Sequence, residues 1–446
     1  MSSLKNTISY SERIRLLKKL KQEIKNQEED IYKALFLDFK KPPMETFLTE
    51  IHVVLKDIDL YLKNTKKWTK PKMVWPSIFN FPSKEYILYQ PYGKVLVISP
   101  WNYPFQLAMC PLIAAIAAGN TVVLKPSEIS YHTGQIITKI LQNVFEVHQV
   151  SVVHGGAEIT QQLIKDKFDY IFFTGSVAVG KIIAKAAAEY LTPTTLELGG
   201  KSPCVVMGDA NIALAAKKIV WGKFLNAGQT CIAPDYVLVH TKEKFNLIQA
   251  IKNEIVSTFG ENPIESPDLA RIINANHWDR LMRLLSNQEL ISFDQPNSLE
   301  KYFPPTLVLE PSLQSEVLQE EIFGPILPII SFSNEEEIDK IISTFEKPLA
   351  FYVFTENGTL GKSFLEKFSF GGGCINDCIM HYTNHRLPFG GIGESGIGAY
   401  HGKFGIDTFS HKKAVVQRFS WLEIPIRYAP YKKKFPWVKK ILYWIG

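Results

Sequence analysis

Between residues 95 and 198 short apolar runs alternate with longer stretches, and that alternation restricts the fold more than any other feature. VLVIS (95–99), TVVL (121–124), QVSVV (149–153), DYIFF (169–173) and TTLEL (194–198) read as buried strands. The segments 104–118, 130–145, 158–165 and 177–190 read as the helices between them, the first ending at Gly119. Apolar strands joined through helices predict a parallel, doubly wound α/β sheet covered on both faces. Such sheets bind ligands at the carboxyl ends of their strands. A second alternating block starts at PCVVM (203–207), runs through strands near 235–240, 304–309, 326–331 and 349–354, and closes at CIND (374–377). It predicts a second α/β domain, with the boundary near Gly199–Gly200. Upstream, 10–40 and 46–68 read as two amphipathic helices, with Leu17, Leu20 and Ile24 on one and Leu48, Ile51, Leu55 and Ile58 on the other. After Pro71, Pro76 and Pro82, KEYILYQPYGKVLVIS reads as two strands turned at Pro91–Gly93.

A chain of 446 residues is too long for one ordinary core and long enough for two or three domains. Its formal charge of +6 is mild for that length, and no basic stripe marks a nucleic-acid binder. Five cysteines are too few for a disulfide scaffold, which favours a reducing compartment. The first twenty-five residues alternate charge with Leu and Ile and lack the apolar core of a signal peptide. No apolar run approaches the roughly 18 residues of a membrane span, so the expected location is cytoplasmic.

NAGQTCIAP (226–234) sets Cys231 among small, polar and turn-forming residues, where no core has use for it. Such a thiol is either an inert surface group or a nucleophile whose thiolate local dipoles favour. In DYIFFTGSVAVGKII, Gly175 follows a strand and Gly180 opens a helix, whose free N–H groups can hold a phosphate. A P-loop needs Ser or Thr after its lysine, but Lys181 is followed by Ile182. GxGxxG is absent too, because position 177 is Val. On these residues alone, two glycines that merely ease a tight turn stay an equal alternative.

Seven ordered segments carry a resemblance over nearly the whole chain: ISPWNYPFQLAM (98–109), LKPSE (124–128), FTGSVAVGK (173–181), LELGGKSP (196–203), GQTCIAPDY (228–236), EEIFGPILP (320–328) and LPFGGIGESGIGAYHGKFG (387–405). Together they resemble the aldehyde dehydrogenases, and among those the class 3 type acting on fatty and aromatic aldehydes. The resemblance implies that Cys231 is the nucleophile, with the Asn102 side-chain amide and the Cys231 backbone N–H as oxyanion donors. Losing one such donor typically costs about 3 kcal/mol in the barrier. It also implies that Glu197 is the general base that hydrolyses a thioester. Without the resemblance, Glu197 reads as a capping or solvent-facing carboxylate and Asn102 as a turn residue.

The implied cofactor is NAD, with NADP as the alternative, on a Rossmann-like domain whose GxxxxG loop contains Gly175, Ser176 and Gly180. Lys125 and Glu128 fall where relatives hold ribose hydroxyls; a carboxylate there repels a 2′-phosphate, and Lys125 blunts that repulsion. Glu321 and Phe323 match nicotinamide-ribose contacts, or else form an acidic loop with a core Phe, and Trp101 shapes the nicotinamide pocket beside Pro100. The implied division is 1–80 with 94–198 for NAD(P), 199–395 for catalysis, 81–93 with 396–420 as a bridging β element, and 421–446 as a tail. Hairpins of that bridging kind make a homodimer in the family by extending a neighbour's sheet. The implied reaction is oxidation of medium- or long-chain aliphatic or aromatic aldehydes to carboxylic acids. Its rivals are a CoA-acylating enzyme and a catalytically silent protein on the same fold.

Cys374, Cys378, His381 and His385 crowd one short segment, but zinc fingers leave about twelve residues between their Cys and His pairs, and no metal is expected. Asn376 there is expected to support the catalytic pocket. The tail from Pro430 carries Lys432, Lys433, Lys434, Lys439 and Lys440 among Trp437, Tyr443 and Trp444. That mixture suits either peripheral contact with a membrane surface or packing on a partner subunit.

Overall fold

The computed structural model describes residues 7–423 and 425–445. It contains two compact units: one runs through Thr69 and resumes over Gln90–His411, and the other comprises Lys70–Tyr89 with the chain from Lys412.

In the larger unit a six-stranded sheet runs Val150–Val152, Thr121–Lys125, Lys94–Ile98, Tyr170–Thr174, Thr194–Glu197 and Gly396–Ile397. The first five are parallel, and only Gly396–Ile397 is antiparallel. Chain order reverses between Lys94–Ile98 and Tyr170–Thr174, which puts a switch point, with Ile98 opposite both Lys125 and Phe173, at the carboxyl ends. A seven-stranded sheet runs Leu290–Ser292, Thr306–Leu309, Ile326–Phe332, Tyr236–His240, Pro203–Val206, Ala350–Phe354 and Gly372–Ile375. Every neighbouring pair in it is parallel except the first. The doubly wound α/β architecture expected from the alternation is present twice.

The Pro104–Ala118 helix is buried on every side, which is why its sequence is apolar all round. It stops at Gly119, whose φ of 107° suits glycine, and the Arg13 guanidinium fills the space a Cβ would need.

Three expectations need correction. The 10–40 segment is two helices, Tyr10–Asn26 and Glu28–Phe39, because Gln27 leaves helical geometry and Glu28, Glu29 and Asp30 favour a fresh N-terminus. The 46–68 helix begins at Pro43 and includes a π-turn, Phe47–Ile51, before His52–Trp68. The strands flanking Pro91–Gly93 do not pair with each other. Lys94–Ile98 lies inside the six-stranded sheet, whereas Ser83–Pro91 is the middle strand of a separate sheet with Lys72–Val74 and Ser410–Arg418. The cause is burial: VLVI is buried on both faces and needs a covered parallel sheet, while Ser83–Pro91 is half-buried apart from an exposed Lys84.

Candidate active site

Cys231 is placed by an unusual turn. After the Ile212–Phe224 helix, Asn226, Ala227 and Gly228 take φ of 54°, 51° and 75° in succession. Left-handed geometry costs a residue such as Ala roughly 1–2 kcal/mol, and persists only where surroundings enforce it. Here they do. Asn226 Nδ2 donates to the Asn102 carbonyl at 2.8 Å and to the Gln229 carbonyl at 3.2 Å. Gln229 Nε2 donates to the carbonyls of Asn226 at 2.9 Å and Arg271 at 3.1 Å, and its Oε1 accepts from Ile273 N–H at 3.0 Å. At position 228 any Cβ would collide with the Gly324 carbonyl.

The same network brings Asn102 to the nucleophile loop. Its buried amide donates to the Gln229 carbonyl at 3.1 Å. An amide nitrogen carries two hydrogens, so one such bond does not exhaust it. One residue on, the Tyr103 and Thr230 hydroxyls are hydrogen-bonded at 2.6 Å. Cys231 is half-buried and opens on a cavity of about 550 Å³, whose lining includes Leu107, Trp221, Leu225, Ile379 and Phe389.

Glu197 lines that same cavity from the end of Thr194–Glu197, and Asn102 is absent from the lining. Glu197 is only 2% exposed, and neither of its oxygens has a hydrogen-bond partner among the described residues. Burial alone drives its pKa well above the ordinary carboxylate range. Burial also raises the Cys231 thiol, as do the Glu321 and Glu197 carboxyls; the backbone N–H groups of Cys231 and Ile232 oppose them. Strongly shifted groups facing one cavity mark functional sites.

Beyond the carboxyl ends of the six-stranded sheet lie residues suited to a dinucleotide. Lys125 Nζ donates to Glu128 Oε2 at 3.1 Å, a pair able to bond ribose hydroxyls. Ser176 caps the Val177–Glu189 helix, accepting from Val179 N–H at 3.4 Å. The first N–H groups of a helix have no partner within it and can hold a phosphate. In that loop Gly175 N–H donates to the Glu197 carbonyl and Gly180 N–H to the Ser176 carbonyl. A Cβ on Gly180 would stand 2.6 Å from Leu198 Cδ2. Glu321 lies against Gly199, and its pKa is pushed up to about 8 by burial and then by Asp235, with the Gly200 N–H, Lys201 and Arg280 opposing. Phe323, at φ 56°, meets Trp101 edge-to-face at 5.2 Å.

The aldehyde dehydrogenase family pattern matches residues 4–415. The chain belongs to the aldehyde dehydrogenase family. The 4,4'-diaponeurosporen-aldehyde dehydrogenase of Staphylococcus aureus is 46% identical over 425 residues, covering 95% of this chain and 93% of that protein. Aldehyde dehydrogenase family 3 member A2 of Macaca fascicularis is 44% identical, over 90% of this chain and 83% of that one. A solved structure of Staphylococcus aureus AldH in its substrate-bound state matches with TM-score 0.96 at 45% identity, covering 98% of this chain and 95% of the other. An NAD+ complex of an aldehyde dehydrogenase from Bacillus cereus matches with TM-score 0.83 at 26% identity, over 93% and 85%.

The structure also places beside the site residues that carry no sequence signal. His277 stacks edge-on against Trp101 at 5.4 Å, and its Nε2 lies 2.7 Å from the Phe323 carbonyl, closing the aromatic wall. Tyr103 and Thr230 act as partners only across the fold. Asn376 does not support the pocket as expected: its side chain pairs with the Thr355 backbone at 2.8 and 2.9 Å. Among the four crowded metal-ligand types, Cys374 Sγ faces His381 Nδ1 at 3.6 Å and His385 Nδ1 faces Asp57 Oδ1 at 3.3 Å. No group of three or more His, Cys, Asp or Glu able to hold a metal exists among the described residues. No described helix is long and apolar enough to cross a membrane.

Proposed function

We propose that this enzyme oxidises medium- and long-chain or aromatic aldehydes to carboxylic acids through a covalent adduct on Cys231. One observation carries the reading: Cys231 shares a large, mainly apolar cavity with a buried Glu197 that has no hydrogen-bond partner among the described residues. The thiol must first pass its proton to water in the cavity, against the burial and the Glu321 and Glu197 carboxyls that hold it on and with the help of the backbone N–H groups of Cys231 and Ile232. Its sulfur then attacks the aldehyde carbon to give a thiohemiacetal, and the new oxyanion takes hydrogen bonds from Asn102 and the Cys231 N–H. Conversion to the thioester needs a hydride acceptor, which NAD(P)+ would supply when held by the residues beyond the sheet's carboxyl ends. Glu197 then takes a proton from water as that water attacks, which frees the acid and the thiol. Lys125 and Glu128, the helix start at Ser176, and Glu321 with Phe323 and Trp101 are the residues that would hold the cofactor. In this reading the six-stranded sheet is the cofactor domain and the seven-stranded sheet the catalytic one.

Glu128, about half exposed, favours NAD+ over NADP+ by repelling a 2′-phosphate, although its bond to Lys125 softens the preference. Incubated with dodecanal, the pure protein should reduce NAD+ faster than NADP+ and release dodecanoic acid while added CoA stays free. An acyl-CoA product would transfer the acyl step from water to CoA, and faster NADP+ reduction would remove the assigned effect of Glu128.

The tail supports a second element of this reading, delivery of apolar substrate from a membrane surface. Phe435–Ile445 is a helix with Phe435, Trp437, Tyr443 and Trp444 exposed, preceded by Lys432, Lys433 and Lys434. Deleting 430–446 should abolish sedimentation with anionic liposomes and raise KM for dodecanal presented in vesicles. Unchanged sedimentation and kinetics would exclude the membrane and return the tail to a subunit contact.

A further inference from the structure

The Pro104–Ala118 helix, one residue beyond Asn102, starts without a side-chain cap of its own, because Tyr103 stands at the N-cap. Buried N–H groups at a helix start need an acceptor, since no water reaches them. A carboxylate from elsewhere supplies one: Glu50 Oε2 accepts from Gln106 N–H at 2.9 Å. Its other oxygen accepts from Lys41 Nζ at 2.9 Å, and both side chains are fully buried. Burial raises the Glu50 pKa; Lys41 and the N–H groups of Gln106 and Phe105 oppose it. Lys41 also lies over the Tyr103 ring, 4.2 Å from its centre, and the Tyr103 hydroxyl is bonded to Thr230, the residue before Cys231. Glu50 sits in the π-turn Phe47–Ile51, and such turns gather at functional sites.

A buried ion pair is seldom kept for stability, since apolar side chains of equal volume often do as well or better. Two apolar residues could fill this space, but they could neither accept from Gln106 nor hold a cation on the Tyr103 ring. We propose that Glu50 and Lys41 are positioning residues for the reaction: the pair fixes the turn carrying Asn102 and, through Tyr103, the loop carrying Cys231. The proposal rests on the reading of Cys231 and Asn102 given above.

The test is kcat per active site in the full chain, with sites counted by iodoacetamide labelling of Cys231. A purely structural pair would lower the number of sites and leave kcat per site alone. Glu50→Ala is expected to lower kcat per site about tenfold or more, with KM for dodecanal changed less than about twofold. Lys41→Gln/Glu50→Gln, which keeps an acceptor for Gln106 and leaves no lone buried charge, is expected to recover most of that loss. Tyr103→Phe, which deletes only the hydroxyl link, is expected to cost about threefold. Unchanged kcat per site in both Glu50→Ala and Tyr103→Phe overturns the assignment. Should Glu50→Ala fail to fold, an unchanged Tyr103→Phe overturns it alone. A wild-type protein that never acquires an acyl group on Cys231 overturns the reaction itself, whatever the variants do.

Discussion

Replacing Cys231 with alanine is expected to lower NADH production by a factor of about 10⁴ or more while leaving the fold intact. The size follows from the chemistry: a planar aldehyde carbon has no electron pair to push out a hydride until a nucleophile makes it tetrahedral. No other thiol can take over. Cys110, Cys204 and Cys378 are buried, and Cys374 faces His381 away from the cavity lining. The fold should survive because the Cys231 side chain is half-buried and makes no hydrogen bond that the turn depends on; Asn226 and Gln229 hold the turn instead. NADH absorbance with dodecanal measures the loss, and circular dichroism checks the fold. Steady NADH output from the folded variant would end the covalent mechanism.

Cys231 stands out in the sequence as a thiol in a polar turn, but that setting alone also fits an inert surface group, and it is the resemblance that makes it the nucleophile. The strands were readable directly. Those of a covered parallel sheet are apolar on both faces, so VLVI and TVVL stand out as unbroken runs. Lys72–Val74 and Leu290–Ser292 escaped notice because they are three-residue edge strands, exposed or nearly so, with no such run. Asn102 and Glu197 gained their roles from the resemblance, since a turn Asn and a strand-end Glu are common in any fold. The brace behind them had no local signal at all. Glu50 meets Gln106 across 56 positions and Tyr103 meets Thr230 across 127, so each looks ordinary among its sequence neighbours. The glycine loop shows the same limit from the other side. Gly180 packs against the Leu198 side chain, a contact that a pattern of glycines along the chain cannot separate from phosphate binding.

Glu197→Gln should separate the two halves of the reaction. Thioester formation needs no base at this position, so a first turnover of NADH should survive. Release of the acid should then slow by about 10²–10⁴-fold, the range general bases contribute. Intact mass and peptide mapping should find the acyl increment on Cys231. The wild-type pH profile follows from the raised carboxyl pKa. A base acts only when deprotonated, so deacylation should climb with pH through that raised value, and the glutamine variant should lose the climb. Stability should move the opposite way. Above the ordinary carboxylate value of 4.5, the unfolded chain releases this proton while the folded protein keeps it. The folded state therefore binds more protons, and its stability falls as pH rises. Glutamine carries no proton to lose, so the stability difference between the two proteins should move in the variant's favour from pH 5 to pH 8. A variant that deacylates at the wild-type rate, with the wild-type pH profile, would mean that another group activates the water. In that case the buried carboxyl would have a stability cost and no role in the reaction to account for it.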